Sequence, residues 1–170
     1  MADNIYPVIR LAGGARYEID IDQARLDIAL IHGFLAASHW ARGIPMAVLE
    51  RAVANSRCYG LFRDGAQIGF ARVVTDYATF AYLADVFVLA AERDQGLGRW
   101  LLDTILADPD LQGLRRWLLG TRDARGFYRR AGFDDPPAPF AFLERLDRGV
   151  YTRTAARRRR RGLTEAAAAY

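Results

Sequence analysis

The chain has no lysine: all 24 of the cations among its 170 residues are arginines. That excludes a phosphate loop of the Gly-x4-Gly-Lys-[Ser/Thr] kind, whose lysine reaches the phosphates. Cysteine is almost as scarce. Cys58 stands alone, so there is no internal disulfide and no second thiol for a zinc site, and no metal is expected. In the apolar segment Cys58 to Phe62 it reads as a buried, inert thiol. Long apolar runs are missing too. No window approaches the roughly 20 residues of a membrane span, and Met1 to Gly14 lacks the basic flank and apolar core of an export signal. A soluble, cytoplasmic protein without a membrane partner is expected.

The net charge of +4 is unevenly spread. Six of the 24 arginines, Arg153 and Arg157 to Arg161, follow Tyr151 beside a single acid, Glu165, which leaves 18 arginines against 19 acids in the body. The block Arg157 to Arg161 repels itself and has nothing to bury, so it reads as a disordered, solvated extension. Nucleic-acid binding through this tail is the alternative. Half the chain is apolar, enough for one sizeable core. The expected division is a loose lead-in over 1–16, one folded domain over 17–151, and the arginine-rich tail over 152–170.

Within the body, Tyr17 to Ile21 alternates apolar and polar residues as a half-buried strand does. Gln23 to Trp40 spaces Leu26, Leu30, Phe34 and Ala37 by three and four, which predicts one helix. Pro45 suits the first turn of a second helix, ending near Asn55. Asp64-Gly65 between two apolar runs predicts a hairpin from Cys58 to Thr75. Phe80 to Leu89 is the longest strand candidate, and Arg99 to Leu106 is helical. Arg116 to Thr121 reads as a strand, Asp123 to Arg130 as a short helix closed by Gly132, and Phe140 to Leu146 as an edge strand. The order predicts a mixed α/β architecture: a mostly antiparallel sheet of six to seven strands flanked by about four helices. It lacks the regular alternation of a dinucleotide-binding fold.

Between the longest strand and the following helix lies Arg93-Asp94-Gln95-Gly96-Leu97-Gly98. Two glycines one residue apart let backbone approach a ligand with no Cβ in the way, and the helix beginning there directs unpaired N–H groups at it. Such a turn favours an anion.

Val88 to Leu102 resembles the central motif of the GNAT superfamily of acetyl-CoA-dependent N-acetyltransferases, Arg/Gln-x-x-Gly-x-Gly/Ala between a strand and a helix. Phe127-Tyr128-Arg129-Arg130-Ala131-Gly132-Phe133 is similar to that family's Tyr-x-x-x-Gly-Phe, and the predicted element order agrees over about residues 17 to 146. Ala90, Asp94 and Asp123 depart from the residues frequent there, proline, glycine and asparagine. The resemblance implies the GNAT fold and direct transfer of acetyl from acetyl-CoA, as co-substrate, to a primary amine, preferably of a small molecule. A homodimer is common in that family. The alternative is a non-catalytic acyl-CoA sensor or scaffold.

It also implies roles. The N–H groups of Gln95, Gly96, Leu97, Gly98 and Arg99 would bind the coenzyme's pyrophosphate, with the Arg93 and Arg99 side chains adding charge. Val88 would offer main-chain groups to the pantetheine arm, which Asp123 would also meet. Tyr128 fits the general acid; its alternative is a core tyrosine. Asp85, the only acid in Phe80 to Leu89, is either the base or amine binder or an acid held by an arginine or backbone N–H groups. Position 84, glutamate in some members, is Ala84. The acceptor pocket would draw on His32, Trp40, Asp76 and Tyr77, although the residues themselves favour a satisfied helix histidine at His32 and a core or wall tryptophan at Trp40. Arg122 and Arg125 either reach the coenzyme's phosphates or are solvated.

Overall fold

The computed structural model describes residues 5–153. They fall into two compact units: residues up to 28 together with 52–135, and residues 29–51 together with those from 136 onward. The arginine block Arg157 to Arg161 lies outside the described residues.

The first unit is built on a six-stranded sheet whose spatial order follows the chain. Its strands are β1 (Val8–Ala12), β2 (Ala15–Asp20), β3 (Arg57–Arg63), β4 (Ala66–Thr75), β5 (Phe80–Val88) and β6 (Arg116–Leu119). Each pairs antiparallel with its predecessor except β6, which runs parallel to β5. A parallel pair needs a crossover, and α3 (Leu97–Leu106) supplies it. After β6 comes the short α4 (Arg125–Arg129). The mixed sheet and the Asp64-Gly65 hairpin agree with the sequence pattern. Gly132 takes φ +91, the left-handed conformation expected of a closing glycine.

Alternation decides which face carries the core. Tyr17, Ile19, Tyr59, Leu61, Ala71, Val73, Ala81 and Leu83 bury one face against Leu97, Leu101, Leu102 and Ile105 of α3. Each fully buried leucine or isoleucine contributes about 1.5–3 kcal/mol, so this stripe fixes α3, and therefore the glycine turn at its start, to the sheet. Near the end of α3, Asp108 is fully buried. Its Oδ2 accepts hydrogen bonds from Tyr59 Oη at 2.6 Å, Tyr6 Oη at 3.1 Å and Arg57 Nη2 at 2.9 Å. The segment that reads in sequence as a helix stop therefore also ties α3 to β3 through a buried carboxylate.

Three segments differ from expectation. Val8–Ala12, placed in the loose lead-in, is an ordered edge strand, because the Gly13-Gly14 turn, with φ of +57 and +79, folds it back onto β2. The helix expected over Gln23 to Trp40 is two pieces, a 3-10 turn Gln23–Arg25 and α1 (Ile28–Ala37). Between them Leu26 is extended and buried. The Asp27 N–H donates to Gln67 Oε1 at 2.7 Å, a bond that draws the backbone off the helical path. Phe140 to Leu146, expected as an edge strand, pairs with no strand among the described residues, and Leu143 is 98% exposed. Pro136, Pro137 and Pro139 precede it, each without a ladder N–H.

The second unit holds most of α1 and of α2 (Met46–Ala54). Ile31 and Leu35 of α1 are fully buried. The helix closes where Ser38 N–H donates to Phe34 O and Gly43, at φ +70, donates to Ala36 O.

Candidate active site

Strands β5 and β6 pair from Phe80↔Arg116 to Leu83↔Leu119, after which β5 continues to Val88 beside β4 and without β6. The sheet therefore opens between them. On its other side β5 carries a bulge: Phe70 faces Phe87 and Arg72 faces Ala84, so two residues, Asp85 and Val86, stand against Ala71. Asp85 sits there at φ +56. Asp tolerates the left-handed region better than most residues, and such conformations in the middle of a strand cluster at functional sites. Its Oδ2 accepts from Arg72 Nε at 2.8 Å, and Arg72 Nη1 donates to Ser56 Oγ at 3.1 Å. The acid in the apolar run is thus held by an arginine, one of the two alternatives open in the sequence. Cys58, directly opposite Arg72, is buried, and that burial pushes its thiol up to about 12.

The end of β5 leads into the glycine turn. Asp94 takes φ +63 and Gly96 φ +75, so the turn has two left-handed residues and only the second is glycine. Gly96 is the N-cap of α3 and provides no side-chain cap. By helix geometry the N–H groups of Leu97, Gly98 and Arg99 then lack partners within the helix. A Cβ on Gly98 would lie 3.9 Å from Val88 Cγ2 and 3.9 Å from Phe127 Cζ, so the strand end, the helix start and α4 converge there.

The neighbouring side chains are committed. Arg93 Nε donates to Val88 O at 3.1 Å. Arg99 Nε donates to Asp103, and its Nη1 to Arg130 O at 2.9 Å. Gln95 Oε1 accepts from Tyr17 Oη at 3.1 Å. At the expected coenzyme contacts, the start of α3 carries no side-chain cap, while the Arg93 and Arg99 side chains are bonded to Val88, Asp103 and Arg130. Asp123 is exposed and bonded by its neighbour, Arg122 Nε to Oδ1 at 2.7 Å, which offsets its negative charge. Arg125 pairs with Asp135.

Tyr128 lies on α4, on the core face of the sheet, edge-on to Phe127 and Phe133. Burial raises its phenol above the ordinary value. No hydrogen bond engages its hydroxyl among the described residues, so it holds a proton and has no internal recipient for it.

The expected acceptor residues are distributed between the units. His32 Nε2 lies 2.9 Å from the Ile44 carbonyl oxygen, the satisfied helix histidine. Trp40 is 48% exposed and packs against His39 and Phe34. In the first unit, Asp76 Oδ1 accepts from the N–H groups of Ala78, Thr79 and Phe80, and Oδ2 accepts from Thr79 Oγ1. The Thr79 hydroxyl and these backbone donors hold the Asp76 carboxyl well below its usual range. It shapes the β4–β5 turn, with Tyr77 exposed at φ +58. Sequence reasoning missed Arg72: pairing it with Asp85 requires the bulged β4–β5 register, and no residue pattern reveals a bulge.

The comparisons with known proteins agree on one family. The model of the acetyltransferase (GNAT) domain matches residues 54–135. A curated protein of Gibberella zeae, "Putative acetyltransferase FG08082", is 32% identical over 109 residues; the match covers 52% of this chain, and the chain spans 62% of that protein's length. The crystal structure of a GNAT-family protein from Xanthomonas campestris pv. campestris is 49% identical, with a TM-score of 0.76, covering 79% of this chain and 96% of that one. A "predicted acetyltransferase" of Clostridium acetobutylicum solved with acetyl-CoA shares the fold alone, at 14% identity and a TM-score of 0.56 over 76% of this chain and 96% of that one. With its sheet opening at the end of β5 and its glycine turn at the start of α3, the chain belongs to the GNAT family of acetyltransferases.

Proposed function

We propose that this chain moves an acetyl group from acetyl-CoA to a primary amine of a small molecule by direct transfer. The observation that carries the reading is the start of α3. Nothing lies within 4 Å of where a Cβ of Gly96 would stand, and Gly98 leaves open a position that any larger residue would fill. A bare helix N-terminus of this kind fits a pyrophosphate, and GNAT membership makes coenzyme A the fitting donor. When bound, the coenzyme supplies an activated acyl thioester.

The chain's own residues do the rest. The N–H groups at the start of α3 bind the pyrophosphate, aided by the positive end of the helix. Val88 lies beside Gly98 and offers main-chain groups to the pantetheine arm. Tyr128 supplies the proton that the departing sulfur requires; burial keeps that proton in place at neutral pH. Asp85 orients or deprotonates the amine, and its ion pair with Arg72 sets the carboxylate at the bulge.

The test is thiol release from acetyl-CoA across an amine panel, beside calorimetric titration of the coenzyme. Release with at least one amine supports the reading. No release together with no coenzyme binding overturns it, and tight binding without any release favours a sensor.

A further inference from the structure

The opening between β5 and β6 has two faces, and only one of them holds the donor-side machinery. Leu97, Leu101 and Tyr128 pack with Ala81 and Leu83, so the start of α3 and the proton donor lie on the core face. With a coenzyme on that face, the amine in a direct transfer has to approach from the other.

There, three apolar side chains form one row across three strands. Val74 is directly paired with Tyr82, and Tyr82 with Leu118. Val74 is 40% exposed and Tyr82 39%. Their core-facing neighbours Val73, Ala81, Leu83, Trp117 and Leu119 all belong to the core cluster, which places the row on the opposite face. The Tyr82 ring leans toward the opening: its hydroxyl lies 3.3 Å from where a Cβ of Gly120 would stand, and Gly120 directly follows the last β6 residue. An aromatic ring with a hydroxyl therefore stands where the two strands part.

The charge around it matters equally. Asp85 at the bulge is bound to Arg72, and the exposed Asp76 accepts hydrogen bonds from its own turn. A polyamine needs several carboxylates, and an amino sugar needs many hydrogen-bond partners. This surface offers an apolar floor.

We propose that the acceptor carries its amine on an aromatic or bulky apolar group that lies against Tyr82, and that Tyr82 is a specificity-determining residue. The proposal rests on the acetyltransferase reading above. It requires the apolar body to contact Tyr82, Val74 and Leu118 while the amine enters the opening toward the bulge.

The experiment compares phenethylamine, butylamine, spermidine and glucosamine as acceptors for the full chain and for Tyr82→Ala and Tyr82→Phe. Phenethylamine is expected to have the highest kcat/KM, about tenfold above butylamine, as expected for a filled apolar pocket. Tyr82→Ala should raise KM for phenethylamine about tenfold and leave kcat, the butylamine KM and coenzyme affinity near their original values, whereas Tyr82→Phe should keep the preference. Spermidine or glucosamine as the best acceptor, or equal changes in both KM values, would overturn the proposal. Calorimetric titration of phenethylamine, with and without coenzyme A, separates the two readings. Absent coenzyme binding counts against the acetyltransferase reading, while amine binding that Tyr82→Ala does not weaken counts against this one whether or not turnover is seen.

Discussion

Arg72 Nε lies 2.8 Å from Asp85 Oδ2 across the β4–β5 bulge, with side-chain exposures of 17% and 10%. The pair joins the one left-handed residue of β5 to the adjacent strand, and the two partners should respond differently to substitution. Arg72→Ala removes the arginine that faces a largely buried carboxylate and should lower stability by about 3 kcal/mol, read in denaturant titration. Asp85→Asn keeps the shape and removes the charge. If Asp85 handles the amine proton, kcat should fall about 100-fold with coenzyme affinity unchanged. An unaltered kcat would make the pair purely structural.

Gly98 faces Val88 and Phe127 at ordinary contact distance, so a small side chain fits the fold but fills the ligand's approach. Gly98→Glu should abolish calorimetric coenzyme binding while the circular dichroism spectrum is kept. Gly96→Ala should cost about 1 kcal/mol, because φ +75 disfavours a Cβ even where space is open. Retained affinity in Gly98→Glu would remove the pyrophosphate assignment.

Tyr128→Phe preserves the ring contacts with Phe127 and Phe133 and deletes only the hydroxyl. With a proton-donating role, kcat should drop about 100-fold at constant coenzyme affinity. The pH profile gives a second check. Burial raises the phenol above 10.0, so the folded protein keeps this proton where an unfolded chain would release it. The alkaline limb that Tyr128 contributes to kcat should lie above pH 10 and vanish in the phenylalanine variant. By the same sign, this group contributes no loss of stability below that range and an increasing loss above it.

Asp108 gathers Tyr6, Tyr59 and Arg57 with no access to water. Asp108→Ala removes the buried carboxylate that Tyr6, Tyr59 and Arg57 share, leaving Arg57 its ion pair with Asp110, and should cost about 3 kcal/mol, with a matching fall in Tm. Coenzyme affinity per folded molecule should stay the same. Burial first, and then the Asp108 carboxylate, hold the Tyr6 and Tyr59 phenols above their ordinary values. The native protein should consequently lose stability as pH rises past about 10, where the phenols of an unfolded chain ionise and these do not.

Much of the fold was legible because it rests on short-range rules. Asp64-Gly65 announces its hairpin, Leu97, Leu101 and Ile105 announce the buried stripe of α3, and the glycine turn announces the start of that helix; all need only neighbours in sequence. Failures came where a distant partner overruled the local pattern. Gln67 takes the N–H of Asp27 and divides one helix into two pieces. The segment Phe140 to Leu146 has strand-like composition, but pairing requires a neighbour that composition does not supply.

By itself, then, the sequence determined the mixed sheet and the position of the glycine turn, since these follow from residue spacing along one stretch of chain, and its two motifs carried the resemblance to the family. Tertiary structure alone decided the surroundings of each group: that Asp85 is held by Arg72, that Arg99 braces α4, that Asp76 serves its own turn, and that Tyr82 leans over the opening beside Gly120. Those outcomes depend on strand register and on one extra residue in β5, and a shift of one position moves every side chain beyond it to the opposite face.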